Sequence, residues 1–404
     1  MSEVPASGAV HWVGAGLSTG SGLADLCART DGVRLWHRTA DRAAEALERL
    51  GLTGRAAPRA YTLAALTAEL APGDVVVSML PAPDHAPLLA ACVARRAHFA
   101  CSSYVSDAVL EQVPAAGKAG LVVLTEAGLD PGIDHLFAHA LVARAREAIG
   151  ADTAASYRLT SYCGGVPAVP NDFRYRFSWA PLGVLNALRS PARYLDDGTE
   201  TVAVRPWEAT RRHVVDGEPF EVYPNRDSVP FVEQYGLPPA WKPAAFVRGT
   251  LRLDGWLDAW GPVFEELKVG DDTRIAALAR ELAATYPTSD TDRDRVILEV
   301  ALEVSPDADA GADADAGAGA GAAGAAFGKG ASWSGSYLLD LVGDEAESAM
   351  ARCVSRTLAL GVRQILAGAL PPGLHRAAET AARSVEWLDE LAAEGLEFTR
   401  RGDG

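Results

Sequence analysis

The chain has 404 residues, which is too long for one ordinary hydrophobic core and predicts two or three domains. Apolar residues make up 49% of the sequence and charged residues 22%, as expected for a globular protein. The formal net charge of −16 argues against nucleic acid or an anionic membrane surface as the main partner.

The N-terminal part alternates short apolar strands with helices. Strand patterns cover residues 9–14, 33–39, 74–81, 97–105 and 120–128. Strands separated by helices at this spacing predict right-handed crossovers and a parallel sheet. We therefore expect residues 1–130 to form a Rossmann-type, doubly wound α/β domain that binds a nucleotide.

The sequence changes character from Ser156 onward. Its strand patterns become short, aromatic and alternating, and glycine and proline separate them. This pattern predicts a second α/β domain with a mixed sheet and a helical insertion over residues 131–305, where the substrate would bind.

The C-terminal third begins with a stretch of very low complexity. Residues 306–331 consist largely of Ala, Gly and Asp and predict a flexible linker, because they cannot bury enough apolar surface to order themselves. Their Asp-x-Asp spacing does not fit a calcium loop, since Gly311 is one position early and Ala318 replaces the bidentate Glu. In residues 332–404, we expect helices that pack back on the Rossmann domain.

A glycine-rich loop directly follows the first predicted strand. Its spacing is Gly14-x-Gly16-x-x-x-Gly20, one residue longer at the end than the commonest form. Gly14 would permit the tight turn and Gly16 a close approach of the backbone to a pyrophosphate. The unpaired N–H groups of the next helix would then face that pyrophosphate.

The end of the second strand carries Arg38 where an NAD-preferring site usually has an acid. Arginine suits a 2′-phosphate because its planar fork forms charge-assisted hydrogen bonds to phosphate oxygens. We therefore favour NADP as the cofactor over the alternative that Arg38 is only a solvated charge.

Unusual residues follow three of the parallel strands, in the loops 78–83, 101–106 and 126–132. Because ligands bind at the carboxyl ends of such strands, Asp130 is expected near the nicotinamide, as a carboxylate that binds a substrate amine. In the second domain, Arg226 and Arg252 are candidate anchors for substrate carboxylates.

Longer motifs point to one family. The segments SSYVS, EAGLDPGIDH, SYCGG, FSWAPLGVLNALRSPARYL, YPNRDS and RGTLR occur in this order. In order and spacing they resemble saccharopine reductase, the NADP-dependent, L-glutamate-forming saccharopine dehydrogenase family. The resemblance is strong over residues 9–253 and looser in the final helices, and residues 254–345 are shorter than in fungal and plant members. It implies reductive condensation of α-aminoadipate semialdehyde with L-glutamate through an imine, or the reverse oxidation, with NADP as the cofactor.

The resemblance also implies a set of site residues. The candidate cofactor-binding residues are Gly14, Ala15, Gly16, Leu17, Ser18, Arg38, Thr39 and Leu80. The candidate substrate-binding residues are Ser103, Tyr104, Asp130, Arg226, Thr250, Leu251 and Arg252. Asp130 and Cys163 are the candidate catalytic residues, although a structural role is favoured for Cys163. His135 is expected to be a packing and hydrogen-bonding residue.

Two alternatives remain open. A related NADP-dependent imine reductase would make a carboxylated polyamine or an opine-type product, and a non-catalytic NADP-sensing regulator would keep the fold alone. An odd number of cysteines without a Cys-x-x-Cys motif, and the lack of a signal peptide pattern, predict a cytoplasmic protein without a metal site. The expected partners are a small amino-acid or aminoaldehyde substrate and a second copy of the chain in a homodimer, with neither nucleic acid nor membrane.

Overall fold

The computed structural model describes residues 3–287, 292–307 and 331–402. These residues divide into two compact units. The first unit runs to Leu136 and also contains Val342–Glu379 and Glu386–Leu396. The second unit is built mainly from Phe137–Leu341 and also takes up Thr380–Val385 and the chain from Glu397.

The strands and helices are numbered in chain order. The strands are β1 (Ala9–Val13), β2 (Gly32–His37), β3 (Ala57–Ala60), β4 (Val75–Ser78), β5 (His98–Cys101), β6 (Val122–Thr125), β7 (Ala155–Pro167), β8 (Ala192–Asp196), β9 (Thr199–Ala203), β10 (Arg211–Val215), β11 (Glu218–Pro224), β12 (Trp241–Leu253), β13 (Asp294–Pro306), β14 (Trp333–Val342), β15 (Gly373–Arg376) and β16 (Thr399–Arg401). The helices are α1 (Ser21–Arg29), α2 (Ala40–Arg49), α3 (Leu63–Glu69), α4 (His85–Arg95), α5 (Asp107–Leu110), α6 (Val113–Lys118), α7 (Ile133–Ile149), α8 (Pro181–Arg189), α9 (Pro230–Gln234), α10 (Trp256–Ala259), α11 (Gly261–Val269), α12 (Asp272–Thr285), α13 (Ala349–Leu366) and α14 (Ala381–Ala393).

The first unit is built on a parallel sheet with the strand order β15-β6-β5-β4-β1-β2-β3. The chain moves outward from β1 to β3 and then restarts on the other side of β1 at β4, which creates a switch point between these two strands. Two separate apolar clusters contain alternate side chains of the central strands, such as Val75 and Val77 in one and Val76 in the other. Both faces of the sheet are therefore buried, as is usual for parallel sheets.

The C-terminal part of the chain completes the first unit. Leu358 and Val362 of α13 belong to the same apolar cluster as Leu23 and Leu26 of α1. Strand β15 pairs in parallel with β6 and forms the edge of the sheet. The expectation that C-terminal helices pack on the Rossmann domain is therefore confirmed.

The second unit contains a mixed sheet with the order β10-β11-β12-β7-β13-β14-β16, and β8 and β9 branch from β12. Its central strands β12, β7 and β13 are long, with β12 parallel to β7 and β13 antiparallel to it. An aromatic cluster contains Tyr175 of the loop before α8, Tyr223 of β11 and Trp256 of α10. Side chains of α8, α11 and α12 complete it. A smaller apolar cluster contains Val222 and Leu251, the neighbours of Tyr223 and Thr250 in the two strand sequences.

These features confirm the predicted fold class of a Rossmann-type sheet followed by a second α/β unit with a mixed sheet. Strands β3 and β15 were not expected, because each has only four residues and few branched or aromatic side chains. The predicted linker at 306–331 falls almost entirely outside the described residues. No helix among the residues described is both long and apolar enough to cross a membrane.

Candidate active site

The loops after β1, β2, β4, β5 and β6 carry the candidate residues of the first unit. Because these strands are parallel and neighbours, their carboxyl ends lie along one edge of the sheet. This edge brings together Gly14, Ala15, Gly16, Leu17, Ser18, Arg38, Thr39, Leu80, Ser103, Tyr104 and Asp130. The structure thus collects on one edge residues that are up to 116 positions apart in the sequence, from 14 to 130.

The glycine loop between β1 and α1 has room for a phosphate group. Gly14 has a φ of +104°, and a Cβ at this position would lie 3.1 Å from the carbonyl oxygen of Met79 after β4. At Gly16, a Cβ would have no heavy atom within 4 Å among the described residues, so the backbone is open to solvent. Only glycine suits the first position without strain, and the second allows a ligand to approach the backbone closely. The loop therefore fits a dinucleotide pyrophosphate.

The start of α1 differs from the expectation. The Ser21 N–H donates to Glu347 Oε1 at 2.6 Å, and the Gly22 N–H donates to Ser355 Oγ at 3.0 Å. These helix N–H groups are therefore not available for a pyrophosphate, and the expectation that unpaired N–H groups at the start of this helix bind it is corrected. The amides of the loop itself, around Gly16 and Leu17, are the remaining donors for that role.

A cluster of positive charge surrounds the end of β2. The pKa of His37 lies below its ordinary value, first because of partial burial and then because Arg38, Arg42 and Arg49 are close. Arg38 is exposed, and no ion pair to its guanidinium occurs among the described residues. Thr39 caps α2 by accepting a hydrogen bond from the Arg42 N–H at 3.2 Å. This end of the sheet therefore fits the 2′-phosphate of NADP better than the bare ribose hydroxyl of NAD.

Tyr104 and Asp130 form a direct pair across the loops after β5 and β6. The Tyr104 hydroxyl donates to Asp130 Oδ1 at 2.5 Å. Both residues are partly exposed, so a ligand at this edge of the sheet can reach them. Ser103 precedes Tyr104, and Leu80 packs against the apolar cluster on one face of the sheet.

In the second unit, the candidate residues cluster on one face of the long strand β12. Thr250 pairs with Cys163 of β7 on one side and with Tyr223 of β11 on the other, so these three side chains share a face of the sheet. Arg252 is two residues further along β12 and points to the same face. Thr250, Arg252 and Cys163 therefore lie on one face of the sheet.

Arg252 is a buried cation in aromatic surroundings. Its side chain is 6% exposed, and its guanidinium carbon lies 4.8 Å from the Tyr175 ring centre and 5.6 Å from those of Tyr223 and Trp256. Within the described chain, no carboxylate forms an ion pair with Arg252, and its Nε has no hydrogen-bond partner. Burial raises the pKa of Tyr175 and Tyr223, and the charge of Arg252 opposes that increase. A buried cation of this kind is stabilised by an anionic ligand.

The side chain of Leu251 faces the other side of the sheet. Leu251 lies between Thr250 and Arg252 in β12, but its fully buried side chain belongs to the apolar cluster on the opposite face. The period of two residues in a strand explains this difference. The substrate contact that the sequence predicts for Leu251 would therefore be made by its backbone.

Arg226 lies in the turn that follows β11. Its φ of +57° is in the left-handed region, and the N–H of the preceding Asn225 donates to Arg248 O of β12 at 2.9 Å. The side chain of Arg226 is exposed. The neighbouring carboxylate of Asp227 accepts hydrogen bonds from Arg193, with the shortest at 2.6 Å. Asp227 thus has a partner of its own in Arg193.

Cys163 is half-buried, whereas the other four cysteines are buried. Burial raises the pKa of Cys101 to about 12 and that of Cys27 to about 11, so these two thiols are poor nucleophiles. No group of three His, Cys, Asp or Glu side chains suited to a metal ion occurs in the described parts of the chain.

Several residues at these sites are not among the candidates that the sequence motifs indicate. They are Glu126, which pairs with the buried His135, the aromatic residues Tyr175, Tyr223 and Trp256 around Arg252, and Glu347 at the start of α1. An acid that directly ends an apolar strand, as Glu126 does, is a signal that could have been used.

Comparisons with known families agree with this architecture. Residues 10–124 match the family model of the saccharopine dehydrogenase NADP binding domain, and residues 128–396 match that of the saccharopine dehydrogenase C-terminal domain. The chain belongs to the saccharopine dehydrogenase family. This result confirms the resemblance stated above and the prediction of NADP as the cofactor.

Relatives of the saccharopine dehydrogenase family match part of the chain. Saccharopine dehydrogenase [NADP(+), L-glutamate-forming] is 41% identical over 199 residues in Pyricularia oryzae and 40% identical over 198 residues in Saccharomyces cerevisiae. Each match covers 48% of this chain and 43% of the relative. Mitochondrial alpha-aminoadipic semialdehyde synthase from Bos taurus is 39% identical over 201 residues, or 48% of this chain and 21% of that protein. The matches thus span less than half the length of these relatives.

Solved structures share the fold over nearly the whole chain. Apo saccharopine dehydrogenase (L-Glu forming) from Saccharomyces cerevisiae superposes with a TM-score of 0.75 at 24% identity and covers 97% of this chain and 99% of its own. The homospermidine synthase from Legionella pneumophila in complex with NAD has a TM-score of 0.61 at 9% identity. It covers 99% of this chain and 92% of its own. At these identities, the likeness establishes the fold alone.

Proposed function

We propose that the protein is an NADPH-dependent oxidoreductase of the saccharopine dehydrogenase type that acts on CH–NH bonds. It joins L-glutamate to α-aminoadipate semialdehyde through an imine and reduces that imine, or it catalyses the reverse oxidation. The observation that carries this proposal is the buried Arg252, which has no carboxylate partner among the described residues, in a family member with an NADP-binding domain. Such a cation suits an acidic substrate.

The residues of the first unit hold the cofactor and the amine. The amides around Gly16 bind the pyrophosphate, and Arg38 with Thr39 binds the 2′-phosphate. NADPH, when bound, supplies the hydride that reduces the imine. The carboxylate of Asp130, held by the Tyr104 hydroxyl, binds and orients the substrate amine. Ser103 and Leu80 line the same edge of the sheet.

The residues of the second unit bind the carboxylate groups of the substrates. Arg252 is fixed by the aromatic side chains around it, so its fork is already oriented before the substrate binds. Thr250 supplies a hydroxyl on the same face, and Arg226 supplies a second, exposed guanidinium. Cys163 lies beside Thr250, and we assign it no proton transfer. In this proposal, residues 1–130 serve as the cofactor domain and residues 131–305 as the substrate domain.

The proposal is tested by the oxidation of NADPH at 340 nm with glutamate and a panel of aminoaldehydes. We expect turnover with α-aminoadipate semialdehyde and glutamate, and formation of saccharopine identified by mass spectrometry. Turnover with a diamine in place of glutamate, without turnover with glutamate, would replace the proposal with a polyamine-forming imine reductase. Binding of NADPH without turnover of any combination of amine and aminoaldehyde would favour the alternative of a non-catalytic, NADP-sensing regulator.

The buried Arg252 also weighs against the polyamine alternative. A diamine carries two positive charges, and a buried guanidinium would repel it. Carboxylated substrates gain a charge-assisted hydrogen bond at the same position.

We also propose a cytoplasmic location and a homodimer. The five free cysteines support a reducing compartment. The dimer is checked by light scattering coupled to size-exclusion chromatography, and a mass of one chain would reject it.

A further inference from the structure

A buried acid and a buried imidazole flank the loop that carries Asp130. Glu126 is the first residue after β6, and His135 lies in the first turn of α7. Their side chains are 2% and 0% exposed, and His135 Nε2 is 3.0 Å from Glu126 Oε2. The proposed reaction uses neither residue as a contact to substrate, so their burial needs another reason.

Glu126 contacts the backbone on both sides of Tyr104. Its own N–H donates to Ser103 O at 3.0 Å, and its Oε1 accepts from the Val105 N–H at 3.1 Å. These two bonds bracket Tyr104 in the sequence. Glu126 adopts a φ of +55°, which a residue other than glycine rarely adopts, so this geometry carries a conformational cost.

His135 links these hydrogen bonds around Tyr104 to the turn that contains Asp130. Its Nδ1 lies 3.5 Å from Asp134 Oδ2, and Asp134 Oδ1 accepts from the Gly132 N–H at 2.6 Å. The Asp134 side chain is fully buried. One set of buried contacts therefore fixes the backbone near both Tyr104 and Asp130.

The charge state of Glu126 agrees with this arrangement. Burial alone would raise the pKa of Glu126, but hydrogen bonds from His135 and the Val105 N–H, together with the charge of Arg376, hold it below its ordinary value. The Glu126 carboxylate is thus ionised, and its Oε2 accepts a hydrogen bond that His135 Nε2–H donates. A carboxylate has two oxygens, so it can accept from His135 and from Val105 at once.

We propose that Glu126 and His135 are positioning residues that set the geometry of the Tyr104–Asp130 pair for the substrate amine. The inference rests on the proposed function for the role of that pair. A displacement of the pair by a fraction of an ångström changes the orientation of the amine, and such displacements lower kcat more than they weaken cofactor binding.

The test compares two substitutions at one position. His135→Leu removes the donor to Glu126, and His135→Gln restores an N–H group there. We expect His135→Leu to lower kcat by about ten- to a hundredfold while the Kd for NADPH, measured by fluorescence, is unchanged, and His135→Gln to recover most of the loss. In His135→Leu, the amide hydrogens of Val105 and Gly132 should exchange about tenfold faster.

The control is His98→Leu, which removes another buried imidazole of the same unit, one that accepts from the Val122 N–H at 3.0 Å. It should lower the melting temperature and leave kcat unchanged. Equal losses of kcat in His135→Leu and His98→Leu, or no recovery in His135→Gln, would overturn the proposal. If His135→Leu does not fold, Glu126→Ala replaces it, because alanine can accept neither the bond from His135 nor the bond from the Val105 N–H. Wild-type kinetics in Glu126→Ala would then reject the inference.

The exchange measurement separates this inference from the proposed function. If the wild-type protein turns over no aminoaldehyde, the proposed function fails, and amide exchange still tests the positioning. Unchanged exchange at Val105 and Gly132 in His135→Leu would then overturn the positioning role.

Discussion

The arginines of the candidate site differ in their surroundings: Arg252 is buried among aromatic side chains, whereas Arg38 and Arg226 are exposed. Arg38, Asp130, Arg226 and Arg252 were identified because each is a charge in or beside a loop or strand end that an ordinary turn does not need. The surroundings of these charges could not be predicted from the sequence, because two of the aromatic side chains around Arg252, Tyr175 and Tyr223, come from distant segments. Leu251 shows the opposite limit, since a motif match cannot tell which face of a strand a residue occupies.

Arg38→Ala should change cofactor preference. Loss of a charge-assisted phosphate contact costs about 1.5–3 kcal/mol, or roughly ten- to a hundredfold in affinity. We expect the Kd for NADPH to rise by this factor and that for NADH to change little, as measured by fluorescence titration. Arg29→Ala, which removes an exposed arginine paired with Asp25 on α1, is the control. Equal weakening of both cofactors would show that Arg38 does not contact the 2′-phosphate.

Arg226→Lys should separate geometry from charge at the second arginine. Lysine keeps the positive charge but cannot hold a carboxylate with two parallel hydrogen bonds. We expect the KM for the acidic substrate to rise by about tenfold, with the melting temperature and NADPH affinity unchanged. Arg193→Lys is the matched control, because Arg193 pairs with Asp227 in the same turn. Unchanged kinetics with a lowered melting temperature would make Arg226 a structural residue.

At the scale of helices and strands, local sequence patterns predicted those elements whose formation depends on neighbouring residues. The strand patterns of β1, β2, β4, β5 and β6 and the C-terminal helices were visible in the sequence. Gly51 follows α2 with a φ of +67°, the left-handed conformation typical of a C′ glycine. Pairings between distant segments were not visible. Strand β15 pairs with β6, about 250 residues earlier, and nothing within its four residues indicates that partner.

The start of α1 provides a test at this scale. Glu347 accepts a hydrogen bond from the Ser21 N–H and is also 3.4 Å from Arg352. Glu347→Ala should lower the free energy of unfolding by about 1–3 kcal/mol in urea denaturation, because a charged acceptor at a helix start is lost. Glu386→Ala, which removes an exposed acid of α14, should have little effect. An unchanged stability in Glu347→Ala would mean that water replaces the carboxylate at no cost.

For the whole molecule, buried ionisable groups make stability depend on pH. Burial lowers the pKa of His85 to about 4 and also lowers that of His98, so both imidazoles remain neutral in the folded protein. Hydrogen bonds hold the pKa of Asp74 and Glu126 below their ordinary values despite the burial that opposes this. In all four cases the unfolded chain takes up protons first as the pH falls.

The free energy of unfolding should therefore be highest above about pH 6.5 and fall as the pH decreases towards 4, because the unfolded histidines protonate in this range. His85→Gln should flatten part of this decrease, by at most about 3 kcal/mol. Ser78→Ala is the control, since it removes the hydrogen bond to His85 but keeps the titrating group. Identical pH profiles for wild type and His85→Gln would show that His85 is not protected from protonation.

The split first unit has a consequence for synthesis on the ribosome. Residues up to Leu136 leave the exit tunnel about two hundred residues before Val342, and β15 and α13 follow later still. At typical elongation rates this interval lasts on the order of ten to forty seconds. During that time the nascent sheet has β6 as an open edge and lacks the apolar side chains of α13. The nascent protein therefore exposes a surface of the kind that chaperones recognise, and its first unit cannot finish folding until the residues from Val342 to Leu396 have been synthesised.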